Sequence, residues 1–176
     1  MVYDHARVYD HARVSGYAWI FGYACISENA NVFEKAKVSG NANVFGNANV
    51  FGSSKISGYA YVSGNTYVLG NSKISGHAYV YGDASISGDD SISGYGRVTN
   101  SKEYASIKGF GRINRTTTFY ITKNNDIGVS CGCFEGTLEE FRRKVIETQG
   151  ETKYGKEYLM IADVMEAHLK SRNVII

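Results

Sequence analysis

Aliphatic side chains recur at every sixth position through the first hundred residues of the chain. Seventeen positions, from Val2 in steps of six to Val98, all hold Val or Ile. A small residue, most often Ala, stands two positions before nearly all of them. The position two residues after them is Gly without a break from Gly40 to Gly94. A period of six would scatter these residues around a 3.6-residue helix, so the pattern excludes an α-helix.

The same pattern predicts short extended segments joined by sharp corners. In an extended segment, residues i and i+2 share a face, so the aliphatic and small positions point inward together. Val and Ile favour strands, and Gly bends at the least steric cost. Three six-residue walls close a triangular coil, so residues 2–98 predict a parallel β-helix of roughly five and a half coils. Four acidic residues take the corner position early in the chain: Asp4, Asp10, Glu28 and Glu34.

The repeat resembles that of hexapeptide-repeat left-handed β-helix proteins, in which a small residue also precedes each aliphatic residue by two positions. The resemblance covers residues 2–98. The family often has Gly directly after the aliphatic residue, whereas here Gly follows two positions later. The resemblance implies a left-handed coil and a homotrimer packed around one face. For the acyltransferases of the family it also implies a histidine general base, with acyl-CoA bound along the coils at the trimer seam.

The repeat breaks at residues 99–104 and returns shifted by three, with Ala105 and Ile107 followed by Gly109. This return predicts one more partial coil, ending near Ile113. Two further segments, "TTTFYIT" (116–122) and "IGVSCGCF" (127–134), are separated by Asn and Asp residues that favour a turn. They predict a β-hairpin that caps the open end of the coils, where strand edges would otherwise stay unpaired.

Two amphipathic helices are predicted after the hairpin. Thr137 and Glu140 form a capping box that opens the first helix, which ends near Gln149. The second helix runs from about Tyr154 to Lys170, and the apolar tail 173–176 is expected to dock on a neighbour. The chain thus divides into a β-helix (1–113) and a hairpin with a helical cap (114–176). Residues 128–169 resemble C-terminal segments of small phage and prophage proteins, which implies a phage or prophage origin.

The side chains between the inward positions sort into three faces, because every third six-residue repeat returns to the same wall. The first face holds His5/Arg7, Tyr23/Cys25, Asn41/Asn43, Tyr59/Tyr61, His77/Tyr79 and Tyr95/Arg97. The second face holds His11/Arg13, Asn29/Asn31, Asn47/Asn49, Asn65/Tyr67 and Asp83/Ser85. The third face holds Tyr17/Trp19, Lys35/Lys37, Ser53/Lys55, Asn71/Lys73 and Asp89/Ser91. Phe33, Phe51 and Leu69 share one corner and are expected to stack.

Aromatic side chains with polar tips are typical of interfaces. The first face therefore predicts an interface made by Tyr23, Tyr59, Tyr61, His77, Tyr79, Tyr95 and Arg97. Three interpretations stay open for it: a trimer seam, a groove for a partner or ligand, and tyrosine stacking without a further role. The second face predicts a ladder of hydrogen-bonded amides. The third face, with four lysines, is interpreted as solvated, and a phosphate-bearing ligand is the alternative.

Composition narrows the classes of function. A net charge of +2 does not indicate a nucleic-acid partner. The chain has no long apolar run and no apolar N-terminal segment typical of a signal peptide, so we expect a cytoplasmic protein without a membrane span. Three cysteines fit a reducing compartment. Cys131 and Cys133 are expected to be two small buried residues on one side of a strand, and no metal site is predicted.

Two functions compete on the sequence alone. The leading hypothesis is a non-enzymatic binding module without a cofactor, a rigid homotrimer that engages a host macromolecule such as a defence component. The alternative is a hexapeptide-repeat acyltransferase that uses acyl-CoA, with His77 as the catalytic base. The unbroken repeats leave no inserted loop to build a pocket, and no carboxylate on the first face orients His77. The repeat therefore favours binding.

Overall fold

The computed structural model describes residues 1–171, and its first hundred residues form a parallel β-helix. Three parallel sheets make the walls: β1-β4-β7-β10-β13-β16, β2-β5-β8-β11-β14 and β3-β6-β9-β12-β15. They correspond to the first, second and third face. In chain order the strands are β1 Arg7–Val8, β2 Arg13–Val14, β3 Trp19–Ile20, β4 Cys25–Ile26, β5 Asn31–Val32, β6 Lys37–Val38, β7 Asn43–Val44, β8 Asn49–Val50, β9 Lys55–Ile56, β10 Tyr61–Val62, β11 Tyr67–Val68, β12 Lys73–Ile74, β13 Tyr79–Asp83, β14 Ser85–Ile86, β15 Ser91–Ile92 and β16 Arg97–Asn100.

The predicted inward positions form the core of the β-helix. Every Val or Ile at the sixth positions from Ile20 to Val98 is fully buried, with 0% of its surface exposed. Each strand pairs with the third strand along the chain, as Tyr61 of β10 does with Tyr79 of β13, so three six-residue walls make one coil as predicted. The parallel β-helix is confirmed, and the left hand of the coil stays a prediction from the resemblance.

The corners adopt a left-handed backbone whether or not they hold Gly. Gly58 has φ +69°, and the acidic residues take the same conformation, with φ +60° at Glu34. Most corner glycines are also needed because stacked corners touch. A Cβ added to Gly58 would lie 2.9 Å from the carbonyl oxygen of Gly76 in the next coil.

The C-terminal end of the β-helix needs a cap, because the outward-facing strand residues donate their N–H groups to the coil that follows. The N–H of Lys55, for example, donates to the oxygen of Ser72 in the next coil (2.9 Å). The corresponding N–H groups of the last coil therefore need other acceptors. Side chains supply them: Ser85 N–H donates to Ser101 Oγ (3.3 Å), Ser91 N–H to Thr118 Oγ1 (3.1 Å) and Thr99 N–H to Glu103 Oε2 (2.7 Å).

The cap is a four-stranded antiparallel sheet in the order β17-β18-β19-β20. Its strands are β17 Tyr104–Phe110, β18 Arg115–Ile121, β19 Ile127–Cys131 and β20 Phe134–Thr137. The predicted hairpin is confirmed as β18 and β19. Tyr120 of β18 packs into the core of the β-helix and its hydroxyl lies 2.9 Å from Ser93 Oγ.

The predicted partial coil at residues 105–113 is wrong. Ala105 and Ile107 lie in β17 and pair antiparallel with Phe119 and Thr117 of β18. Alternating small and aliphatic residues suit either kind of strand. The neighbouring β18 decides the outcome, because it offers β17 a complete antiparallel partner.

Two helices cover the sheet: α1 (Leu138–Gln149) and α2 (Lys153–Lys170). The predicted capping box is confirmed, since Glu140 N–H donates to Thr137 Oγ1 (3.2 Å) and Thr137 N–H to Glu140 Oε2 (2.8 Å). A second core, separate from that of the β-helix, holds Phe119, Phe141 and Leu169. The expectation for residues 173–176 lies outside the described residues, and the division of the chain at residue 113 stays a prediction.

Candidate functional site

The first face carries a column of parallel stacked rings. The rings of Tyr59 and His77 have centroids 5.0 Å apart and planes 4° from parallel. The rings of His77 and Tyr95 follow at 5.3 Å and 13°. Each of these residues stands one full coil from the next, so the coil height sets the ring spacing. Tyr59 is 54% exposed and Tyr95 52%, so the edges of the column face solvent.

A second column runs beside the first. The rings of Tyr61 and Tyr79 lie 5.0 Å apart and 3° from parallel, and Arg97 continues the column as the strand partner of Tyr79. The Phe45 ring meets Tyr61 edge-on, 6.5 Å away. Both tyrosines stay partly exposed. The two columns together form a surface of aligned rings with polar tips, called the aromatic face below.

The turn between β18 and β19 closes one end of the aromatic face. Lys123 Nζ lies 3.9 Å from the ring centroid of Tyr95, a cation–π contact. Arg97 Nη2 donates to Asn125 Oδ1 (3.3 Å), and the backbone N–H of Lys123 donates to the oxygen of Tyr95 (3.0 Å). Sequence reasoning missed Lys123 and Asn125. The only signal was their place in the turn of a hairpin expected to cap the coils.

Tyr23 stands apart from the other predicted residues. Its ring stacks on His5 (4.8 Å, 16°). The next coil places Asn41 and Asn43 on the first face, so a layer of amides separates Tyr23 from Tyr59. The structure thus brings Tyr59, Tyr61, His77, Tyr79, Tyr95 and Arg97 together and places Tyr23 in a smaller patch near the N-terminal end.

His77 is held by its ring faces. Within residues 1–171, no carboxylate forms a hydrogen bond or ion pair with its imidazole. The nearest candidates along the sequence have other partners. Asp83 accepts from Asn65 Nδ2 (3.0 Å), and Asp89 accepts from Asn71 Nδ2 (3.1 Å) and Lys108 Nζ (2.7 Å). The arrangement suits stacking and a ring-edge hydrogen bond to a partner.

The second face forms the predicted amide ladder. Asn29 donates to Asn47 (3.4 Å), Asn47 to Asn65 (3.1 Å), and Asn65 to Asp83. Each of these amides has the side chain one coil further along as its partner, which makes the ladder part of the scaffold. The corner stack is confirmed for Phe33 and Phe51, whose rings lie 5.0 Å apart and 5° from parallel.

A buried acid marks the last coil. Asp90 stands in the column of small inward residues that holds Ser54 and Ser72 in the preceding coils, and it is 6% exposed. Burial raises the pKa of the Asp90 carboxyl above its ordinary value, and the hydroxyl of Ser106 opposes this only in part. Burial and then the charge of Asp90 raise the pKa of Tyr104 to about 12. Tyr104 donates its hydroxyl to the oxygen of Ser85 (2.8 Å).

The cysteines do not behave as expected. Cys131 is buried at the end of β19 and accepts from Thr117 Oγ1 (3.1 Å), whereas Cys133 is exposed. Gly132, with φ +65°, turns the chain between them, so the predicted shared side of a strand is wrong. Among the described residues, no group of three or more His, Cys, Asp or Glu side chains is arranged to hold a metal ion. In the same part of the chain, neither helix has the length and apolar character needed to cross a membrane.

The fold class is therefore a parallel β-helix with an antiparallel cap and two helices. Comparison with known proteins found no match, either to a family model, to a curated protein or to a solved structure.

Proposed function

We propose that the chain is a non-enzymatic binding module whose aromatic face is the contact surface. The observation that carries the proposal is the stack of Tyr59, His77 and Tyr95, half exposed and fixed at one-coil spacing. Rings held in advance by stacking and by Lys123 lose little side-chain entropy when a partner covers them. Tyrosine hydroxyls along the edges supply hydrogen bonds, as in many protein interfaces.

The partner is proposed to be a protein. A flat strip of tyrosines, bordered by Arg97 and Lys123, matches a protein surface better than a small ligand, because small ligands favour concave sites. The resemblance of the coils to hexapeptide-repeat proteins supports a homotrimer. The resemblance of residues 128–169 to segments of small phage and prophage proteins supports a phage or prophage origin. Under this proposal the module engages a host macromolecule, such as a defence component, in the cytoplasm.

The acyltransferase alternative keeps His77 as its candidate base and acyl-CoA as its ligand. Proton transfer to an imidazole takes place in the ring plane, so stacking does not block it, but within residues 1–171 no carboxylate orients His77. A general base also works best when another group orients it. These contacts support binding over catalysis, so the proposal includes no cofactor.

The test measures assembly and partner capture with face-specific variants. The mass of the native chain in solution is compared with that of a double variant, Tyr61→Ala with Tyr79→Ala. Tyr67→Ala, a similarly exposed tyrosine on the second face, is the matched control. If the aromatic face is a seam, the double variant becomes a monomer and Tyr67→Ala stays assembled.

Whatever the mass of the native chain, the same three proteins are then used as baits for host proteins. The proposal expects one partner that the native chain and Tyr67→Ala retain and the double variant loses. It is overturned if the double variant matches the native chain in both mass and partners, provided circular dichroism shows that all variants are folded.

A further inference from the structure

A groove lies where the antiparallel sheet overhangs the third face. Its volume is about 580 Å³. Lys55 and Lys73 of the β-helix form one wall, and Lys108 of β17 with Arg115 of β18 forms the other. None of these residues belongs to the aromatic face. The groove thus exists only because the cap folds back over the lysine column.

The groove carries an excess of positive charge. Four cationic side chains face two carboxylates, Asp89 and Glu135, which leaves a net charge of +2 at neutral pH. Lys108 is neutralised by Asp89, 2.7 Å away. Within residues 1–171, the side chains of Lys55, Lys73 and Arg115 have no ion-pair or hydrogen-bond partner. The groove therefore brings three cations without a partner in that part of the chain together with one unpaired carboxylate, that of Glu135.

Two of these cations are held next to each other by the fold. Lys55 and Lys73 are direct partners in the register of the third sheet, at a strand spacing of roughly 4.8 Å. Like charges directly opposite each other are unfavourable in a sheet. Lys37, one coil below Lys55, differs because its Nζ lies over the ring of Trp19, 5.1 Å from the centroid. Lys37 does not line the groove.

Hydrogen-bond donors surround the cations. Ser57 and Ser75 stand at the corners beside the two lysines, and Thr116 and Ser130 line the opposite wall. Arg115 reaches this wall because residue 132 has no side chain. A Cβ on Gly132 would lie 2.2 Å from Arg115 Nη1, so Gly132 makes room for the guanidinium.

We propose that this groove binds a small molecule that carries two or more linked phosphate groups. Adjacent phosphates can meet Lys55 and Lys73 at one-coil spacing, while the planar guanidinium of Arg115 binds a phosphate through two hydrogen bonds. The volume lies in the range of sites for small ligands. The ligand's negative charge removes the repulsion between the stacked lysines. This site is independent of the aromatic face and of any partner bound there.

The test is calorimetric titration of the full chain with tripolyphosphate and with ADP at constant ionic strength. The proposal expects saturable binding that falls at least tenfold in the double variant Lys55→Gln with Lys73→Gln, and about as much in Arg115→Gln. Lys37→Gln removes one positive charge from the same column outside the groove, as Arg115→Gln removes one within it, and it should bind within twofold of the native chain. Thermal unfolding and circular dichroism confirm that each variant is folded.

The two probes separate the sources of phosphate. Equal affinity for both assigns recognition to the phosphates alone, and tighter binding of ADP indicates a nucleotide. The proposal is overturned if neither probe binds saturably at millimolar concentration. It is also overturned if Lys37→Gln weakens binding as much as the groove variants do, because general charge attraction then accounts for the signal.

Discussion

The carboxylate of Glu34 accepts a hydrogen bond from the backbone N–H of Gly52, which lies 2.8 Å away and one coil further along the chain. Glu28 does the same for Gly46 (3.0 Å). These acids occupy a left-handed corner that normally requires Gly. The hydrogen bond to the next corner offsets the strain, which explains how acidic residues replace Gly early in the repeat.

Glu34→Ala is expected to lower the free energy of unfolding by about 1 kcal/mol, because it keeps the strained backbone and loses the hydrogen bond. Glu34→Gly loses the same bond but relieves the strain, so it should be at least as stable as Glu34→Ala and close to native. Urea unfolding of the three proteins measures the difference. If Glu34→Ala is as stable as the native chain, the carboxylate does not support the corner.

Gly58→Ala and Gly88→Ala separate backbone strain from contact between corners. Both residues have a left-handed backbone, with φ +69° and +67°. A Cβ at residue 58 would meet the Gly76 oxygen at 2.9 Å, whereas a Cβ at residue 88 meets no atom within 4 Å. Gly88→Ala should therefore lower stability by about 1–2 kcal/mol, the cost of strain alone. Gly58→Ala should cost clearly more. Equal losses of unfolding free energy in denaturant titrations would show that the stacked corners move apart without cost to admit a Cβ.

Ser54 and Ser72 occupy the same inward column in neighbouring coils, yet only one hydroxyl has a partner. Ser72 Oγ donates to the oxygen of Leu69 (2.8 Å), and Ser54 Oγ is buried without a partner in the described part of the chain. Ser54→Ala should raise the free energy of unfolding, and Ser72→Ala should lower it by about 1 kcal/mol. Chemical unfolding of this matched pair is the measurement. If both substitutions changed the free energy of unfolding in the same direction, the difference in hydrogen bonding between Ser54 and Ser72 would be contradicted.

Asp90 and Asp89 should affect stability with opposite dependence on pH. The folded-state pKa of Asp90 is raised by burial, so the unfolded chain releases this proton at lower pH than the folded chain does. Asp90→Ser should therefore become more stable than the native chain as pH rises from 3.8 through the folded pKa. At pH 7 the Tm of Asp90→Ser is therefore expected to lie above that of the native chain.

Asp89 provides the control at the neighbouring position. Its hydrogen bond from Lys108 lowers the pKa of its carboxyl, so its stabilising effect is present above pH 3.8 and is lost as pH falls through the folded pKa. Asp89→Asn should be slightly less stable than native at neutral pH and equal to it in acid. Thermal unfolding between pH 3 and 7 tests both variants. A native advantage over Asp90→Ser that grows with pH would refute the proposed penalty.

The periodic part of the fold follows from the sequence because each coil meets the same requirements. A position such as Val44 must be aliphatic, since Ile26 and Val62 pair on either side of it at the same depth in the core. Side chains one full coil apart must also lie side by side, which is why the Phe33–Phe51 stack could be predicted. The six-residue period of the sequence therefore also fixes which residues pair between neighbouring coils.

The cap could be predicted only in part, because its contacts join segments without a common period. Ile107 fits a coil and an antiparallel strand equally well, and its pairing with Thr117 depends on the turn between them. The contact of Lys123 with Tyr95 and the place of Arg115 in the same groove as Lys73 depend on how the sheet is placed against the coils. No local pattern encodes that placement.

The three-walled coil has a consequence for how this molecule can change in length. Insertion or deletion of one complete coil, such as residues 23–40, keeps every column in phase and leaves the surface beneath the cap unchanged. An insertion of a single wall would turn everything beyond it by a third of a revolution, and aromatic rings would then stand above lysines or amides. The β-helix can therefore lengthen or shorten only by whole coils if its columns are to stay aligned.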